Sequence, residues 1–364
     1  MMNSVMPNPA MLQHDSARLR VLFIGGTGTI SASCVRLAAV TGMSVSVLNR
    51  GHNGAGRNRP AGIEELTGDI TDDASVRSAL DGRSYDAVVN FLSYDADDVA
   101  RMVRTFAPIT RQYVHISSGS IYVKPVRQSP ITESTPVGPN PPLAYATAKW
   151  RAEQALAMAH RESGFPVTII RPSHTYDDAN PPLPGGWTVV DRIARGAEVP
   201  VHGDGTSLWT LTHAEDFAQG LVGLLGNSRA IGETFNITGD DVFTWDQIYS
   251  IVARALDVQP RLVHVPSEFY PLVAPDWFWS GEMVGDLGHS AVFDNAKIRR
   301  FVPGFAPILT FERAVGRMLE WRRAHPSTAV GDTQTEAVLD RIVDAYHVAR
   351  DAFADRASSA ELAS

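Results

Sequence analysis

The stretch "VLFIGGTGTIS", Val21 to Ser31, most constrains what this chain can fold into. Val21 to Ile24 are four consecutive apolar residues, the pattern of a parallel strand covered on both faces. Gly25, Gly26 and Gly28 follow at once, and then Ile30, Cys34, Leu37 and Ala38 recur at helical spacing. Strand, glycine turn and helix make the setting in which backbone can approach a pyrophosphate and helix N–H groups point at the anion. Alone, the stretch reads equally well as a tight turn.

The rest of the first half supports the larger reading. The runs "RVLFIG", "SVSVLNR", "AVVNFL", "QYVHISS" and "PVTIIRP" predict strands, and helical patterns separate them. Such alternation predicts a doubly wound parallel sheet with right-handed crossovers over residues 19–175. After Pro172 the rhythm breaks at "DDANPPLPGGW", a loop by composition. A smaller, discontinuous substrate lobe is expected over 176–330, with segments near 210–240 and 290–300 returning to the first domain. Residues 331–364 are expected to form a terminal helix and tail. Val338, Leu339, Ile342, Val343 and Tyr346 share one face of that helix, suited to packing on the body or on a second subunit.

Bulk properties narrow the function classes. A formal net charge of -8 argues against nonspecific binding of nucleic acid or an anionic membrane. Cys34 is the one cysteine of 364 residues, so no intrachain disulfide can form and a reducing compartment is favoured. Residues 1–18 are broken by Pro7 and Pro9 and read as a loose tail without a signal-peptide core. No apolar run reaches the length of a membrane span, and the cytoplasm is the expected address. The histidines show no metal-ligand spacing, so no metal is expected.

A second stretch, "LAYATAKW", carries chemistry. Tyr145 and Lys149 are four apart and share a helix face. Upstream, "VHISSGSIY" is a strand ending in hydroxyl residues at the carboxyl edge of the sheet, where ligands bind in such folds. A tyrosine works as acid or base near neutrality when a neighbouring ammonium stabilises its phenolate.

With these motifs together the chain resembles an extended short-chain dehydrogenase/reductase of the NAD-dependent epimerase/dehydratase family, over roughly Leu19 to Trp321. The resemblance implies a Rossmann sheet with a C-terminal substrate lobe. It implies a dinucleotide held by Gly25, Thr27, Gly28, Thr29 and Ile30, with Ser31 at the family's third glycine position. Asp69 and Ile70 then lie at the adenine, Asn90, Phe91 and Leu92 beneath the cofactor, and Pro172 against the nicotinamide. Asn49 and Arg50 end the second strand and leave NAD and NADP equally open. Ser118 falls at the catalytic Ser/Thr position, with Ser117 and Ser120 as alternatives. Tyr145 is the implied base, and Lys149 lowers its pKa and holds the ribose. His174 replaces an Asn of the family motif, either as a group titrating near neutrality or as an uncharged substitute for the amide.

Departures from the family pattern bear on substrate. Trp209 stands where nucleotide-sugar members carry an arginine for the diphosphate, and Glu282 and Met283 lie near the second arginine position. Arg192 and Arg195 are possible replacements. The preferred expectation is a sugar, glycoside or nucleoside without diphosphate, with Ser118, Ser120, His174 and Trp209 contacting it and Trp187, Trp277, Phe278 and Trp279 as further stacking candidates. Gly119 and Ser120 replace the Asp-Glu pair of the family's dehydratases, and Glu133, Asp177 and Asp178 are candidates to supply other acid groups. The expected reaction is transient oxidation of a secondary alcohol, leading to epimerisation or elimination. A plain reductase and a cofactor-bearing RNA-associated protein are the alternatives. Homodimerisation through the Tyr145 helix is implied by the resemblance.

Overall fold

In the computed structural model, which describes residues 18–51, 62–93 and 95–361, the loose tail expected at the N-terminus lies outside the described residues up to position 17. The chain begins with β1 (Arg20–Ile24), α1 (Thr29–Val40), β2 (Ser44–Asn49), β3 (Glu64–Thr67), α2 (Asp73–Leu80), β4 (Ala87–Asn90) and α3 (Ala96–Phe106). It continues through β5 (Tyr113–Ile116), α4 (Ala144–Ser163), β6 (Val167–Pro172), β7 (His174–Tyr176), α5 (Trp187–Ala194), β8 (Glu198–His202) and β9 (Leu208–His213). Then come α6 (Ala214–Leu224), β10 (Thr234–Ile237), β11 (Val242–Thr244), α7 (Trp245–Ala255), β12 (Arg261–Val265), α8 (Phe269–Val273) and α9 (Phe278–Glu282). The last helices are α10 (Ala296–Phe301), α11 (Phe311–Ala324) and α12 (Thr333–Glu361).

Seven strands form one parallel sheet in the order β10-β6-β5-β4-β1-β2-β3. The order reverses between β1 and β4, so a crevice opens beyond their carboxyl ends. The apolar run of β1 is explained by its two faces. Val21 and Phe23 pack with Cys34 of α1 and Phe217 of α6, while Leu22 and Ile24 pack with Val76, Met102 and Leu156 of α2, α3 and α4. Cys34 is fully buried, and burial pushes its thiol pKa up, which makes it a packing residue. The segment 214–237 returns to this sheet, with α6 against α1 and β10 at the edge beside β6.

Helix α4 follows Pro141 and Pro142, which cannot continue a helix upstream, and is rich in alanine and other strong formers. Its position is locked from below. Arg171 of β6 donates to both carboxylate oxygens of Glu153, from Nε at 2.9 Å and from Nη2 at 2.5 Å. Arg171 Nη1 also donates to the Tyr122 hydroxyl at 3.0 Å, which in turn donates to Asn236 Oδ1 at 2.7 Å. The buried polar chain thus joins α4, β6 and β10.

A separate core, with Trp209, Trp245, Phe311, Leu339 and Ile342, fills the C-terminal part. Around it lie the three-stranded sheet β11-β9-β7 and the parallel pair β12-β8. Leu339, Ile342 and Val343 of α12 are buried and Val338 and Tyr346 pack beside them, so this face docks on the body of the same chain. No helix among the described residues is long and apolar enough to cross a membrane.

The Arg171–Glu153 pair gives a first prediction. Glu153→Gln leaves a buried guanidinium without its counter-charge and should cost about 3–5 kcal/mol in urea unfolding, whereas the paired apolar replacement Glu153→Met with Arg171→Met should lose much less.

Candidate active site

A cleft of about 640 Å³ opens at the sheet's reversal point. Gly25, Thr27, Gly28 and Ile30 line it, and Thr29 does not. Gly25 has φ +82°, and a Cβ there would lie 2.7 Å from Leu92 Cγ, so the position demands glycine on both grounds. Ser31, at the third glycine position, is functional in the fold: its Oγ accepts the Gly28 N–H at 2.7 Å and caps the start of α1.

Asn49, Arg50, Asp69 and Ile70 also line the cleft. Asp69 Oδ1 accepts from the Thr71 N–H at 2.9 Å and its hydroxyl at 2.8 Å, which lowers the carboxyl pKa. Phe91 and Leu92 line it, but the Asn90 side chain does not. Asn90 is buried beneath, donating to Ser93 Oγ at 2.7 Å and Tyr113 OH at 2.8 Å and accepting the Leu92 N–H at 2.7 Å. It shapes the loop that touches the cleft. Asp98 and Arg101 of α3 line the cleft as well. They were missed because nothing in a polar helix face says which way it turns.

Beside the cleft lies a second cavity of about 350 Å³. Ser118, Tyr145 and Pro172 belong to both walls. Ser117 faces only the cleft and Ser120 only the cavity, so Ser118 alone of the three serines stands at the junction. Ser118 Oγ lies 2.7 Å from Ser120 Oγ and accepts the Ser120 N–H at 3.2 Å. Lys149 is buried, and its Nζ donates to the carbonyls of Ser93 and Ile116, both at 2.8 Å. Burial draws its pKa down to about 7, against the opposing charges of Glu153 and Asp98. Nζ lies 5.8 Å from the Tyr145 ring centroid, and the tyrosine itself is 36% exposed.

His174 and Trp209 line the second cavity. His174 sits among Trp209, Trp245 and Trp279 at ring distances of 6.2, 6.1 and 5.9 Å. Burial there lowers its pKa to about 4, so the expectation of a near-neutral titrating group is corrected: this imidazole is uncharged. Trp209 is buried, with its indole N–H donated to Leu287 O at 3.0 Å. Phe278 and Trp279 face the cavity. Trp187 and Trp277 do not, being stacked on Trp321 and Tyr270 respectively.

Other candidates are turned elsewhere. Arg192 donates to Glu198 O, to Glu336 and, at 2.6 Å, to Asp340 Oδ1, and Arg195 pairs with Glu336. Both hold α12 against α5 and reach neither cavity. Glu133 Oε1 accepts the Asn236 N–H, Asp177 closes a turn with Asn180, and Asp178 pairs with Arg317. None of these three lines the cavity.

Two acids do. Glu282 closes α9, and Asp286 lies on the π-helical turn Met283–Leu287 that follows. Lys124 Nζ, almost wholly buried, donates to Asp286 Oδ1 at 2.5 Å and stands 5.0 Å from the Trp209 ring centroid. Burial, with the Asp286 charge, pushes the Glu282 carboxyl up to about 8, although Lys124 opposes it. Among the described residues no group of three or more potential ligands is placed to hold a metal ion.

The sequence matches the NAD dependent epimerase/dehydratase family over residues 21–238. It is similar to the chloroplast stem-loop binding protein of 41 kDa b of Arabidopsis thaliana, 27% identical over 276 residues, covering 72% of this chain and 70% of that protein. It is equally similar to the 2'-dehydrokanamycin reductase of Streptomyces kanamyceticus, 27% over 300 residues, covering 79% and 80%. Its fold matches that of the dTDP-glucose 4,6-dehydratase DesIV of Streptomyces venezuelae, solved with NAD bound, at a TM-score of 0.66 and 23% identity, over 84% of this chain and 98% of that one.

The Glu282 shift carries a stability prediction. A carboxyl with a raised folded pKa binds its proton in the native state while the unfolded chain has released it. Stability is therefore lost as pH rises from the unfolded value of about 4.3 towards about 8. Glu282→Gln removes that loss, and thermal melts should show a larger gain in Tm at pH 9 than at pH 4.

Proposed function

The chain belongs to the NAD dependent epimerase/dehydratase family, and from that premise we propose that it oxidises a secondary carbinol of a sugar-like substrate with bound NAD(P). The observation that carries the proposal is the common wall of the two cavities, where Ser118, Tyr145 and Pro172 face both. A cofactor in the larger cleft and a substrate in the smaller one meet at that wall.

The larger cleft suits a dinucleotide: glycine backbone without Cβ, a capped helix start, and Asn49, Arg50 and Asp69 along its length. When bound, a nicotinamide there would accept hydride from the carbinol carbon. Tyr145 takes the hydroxyl proton as the base, and Ser118 holds the same oxygen by a hydrogen bond. Lys149, fixed by two carbonyls, places positive charge beside the tyrosine and favours its phenolate. Ser120 supports Ser118, and uncharged His174 offers the substrate a hydrogen bond as the family's amide would. The ketone so formed acidifies the neighbouring C–H, which permits epimerisation or β-elimination before hydride return.

The substrate in this reading has no diphosphate, since none of the described residues lining the second cavity is Arg or Lys. The division into a cofactor part over 19–175 and a substrate lobe over 176–330, a cytoplasmic setting and a homodimer paired through α4 belong to the same reading. A plain NAD(P)H-dependent reductase is the second reading, favoured by the similarity to 2'-dehydrokanamycin reductase. An RNA-associated role, suggested by the similarity to a stem-loop binding protein, is opposed by the net charge of -8.

Denaturing release of cofactor from the purified protein, read by mass spectrometry, separates the first two. Stoichiometric NAD(H) and turnover without added cofactor mean a closed redox cycle, whereas an empty protein that consumes NAD(P)H is a reductase. In either case Tyr145→Phe should retain cofactor and lower kcat by about 10²–10⁴-fold.

A further inference from the structure

We propose that the second cavity selects a substrate bearing an ammonium group, and that the Glu282 carboxylate is the group that pairs with it. This rests on the reading that the smaller cavity holds the substrate.

The observation behind it is an imbalance of charge within the cavity wall. Two carboxyl groups, Glu282 and Asp286, line the cavity. Asp286 is answered by Lys124, whose Nζ lies 2.5 Å from its Oδ1. Glu282 is nine-tenths buried, faces the cavity and accepts no hydrogen bond from any described residue. A buried acid without a partner is costly when ionised, and its raised pKa reflects that cost. A ligand cation removes the cost by supplying the missing counter-charge.

The other walls agree. Trp209, Trp279 and Phe278 face the cavity, and aromatic faces attract cations. Trp209 already has the Lys124 ammonium 5.0 Å from its ring centroid. His174, the one imidazole among the described lining residues, is uncharged and does not repel a cation. A phosphate or carboxylate ligand would find no Arg or Lys among the described lining residues, and a purely hydroxylic sugar would leave Glu282 protonated. The cavity volume, about 350 Å³, falls within the range of ~300–1,000 Å³ usual for small-molecule sites.

The test uses the full chain loaded with NAD and a set of methyl hexosides in which one hydroxyl at a time is replaced by an amino group. Each is compared with its hydroxyl parent and its N-acetyl derivative by isothermal titration at pH 7.5. The expected result is that at least one amino hexoside binds about tenfold or more tightly than both controls, the scale of one charge-assisted contact. Glu282→Gln should remove that preference while keeping its affinity for NAD. Absence of any preference across the set, including absence of binding, overturns the proposal, as does a preference that survives in Glu282→Gln. Nicotinamide absorbance recorded on the same samples separates the two readings. Redox change on neutral hexosides without an amine preference removes only the ammonium site, whereas an amine preference with no redox change on any sugar counts against the oxidation reading instead.

Discussion

The contact on which the site most depends is the buried ammonium of Lys149 held between the carbonyls of Ser93 and Ile116. Those carbonyls lie just past β4 and at the end of β5, so one side chain of α4 ties the carboxyl edge of the sheet to the helix that presents Tyr145. The arrangement opposes solvation, and the lowered pKa of Lys149 is the sign of it. Glu153 and Asp98 offset part of that penalty by their charge. Glu153 also clamps Arg171, so the polar chain that positions α4 is also the one that opposes the fall in the lysine's pKa.

Local signals made this half of the molecule legible. The β1 run, the glycine turn and the Tyr145–Lys149 spacing are patterns within about ten residues, and burial on both sheet faces follows from apolar continuity. Strand β3 escaped for the same reason. Its residues Glu64, Glu65, Leu66 and Thr67 include one apolar side chain, and it exists because β2 offers an open edge to pair with. Asn90 shows a subtler failure. The motif placed it correctly at the strand end, but which way a side chain points depends on partners 3 and 23 residues away.

The C-terminal part was scarcely legible, because its side-chain pairs are assembled from distant segments. Lys124 and Asp286 are 162 positions apart, and nothing local marks them as a pair. Arg192 and Arg195 looked available to a phosphate until α12 supplied Glu336 and Asp340 to engage them. His174 illustrates the general point: residue type says that an imidazole can titrate near neutrality, but the three indoles around it decide that it does not.

The π-helical turn Met283–Leu287 explains how so much of the second cavity comes from one short stretch. The carbonyl of Leu287 accepts the indole N–H groups of Trp209 at 3.0 Å and Trp245 at 3.2 Å, and the Ser207 hydroxyl at 3.0 Å. A buried carbonyl needs donors and a buried indole needs an acceptor, so the turn and the aromatic wall orient each other. The same turn carries Asp286 and follows directly on Glu282. Charge and aromatic surface in the cavity are therefore set together by residues 278–287. The junction of Ser118 and Tyr145 rests on α4 and the end of β5, and the turn is tied to it: Asn140 Nδ2 donates to the Gly285 carbonyl at 2.8 Å, and the Asn140 backbone bonds the Thr147 hydroxyl of α4. The turn that shapes the cavity wall therefore also touches the start of the helix that presents Tyr145, so a change in the turn is felt by both.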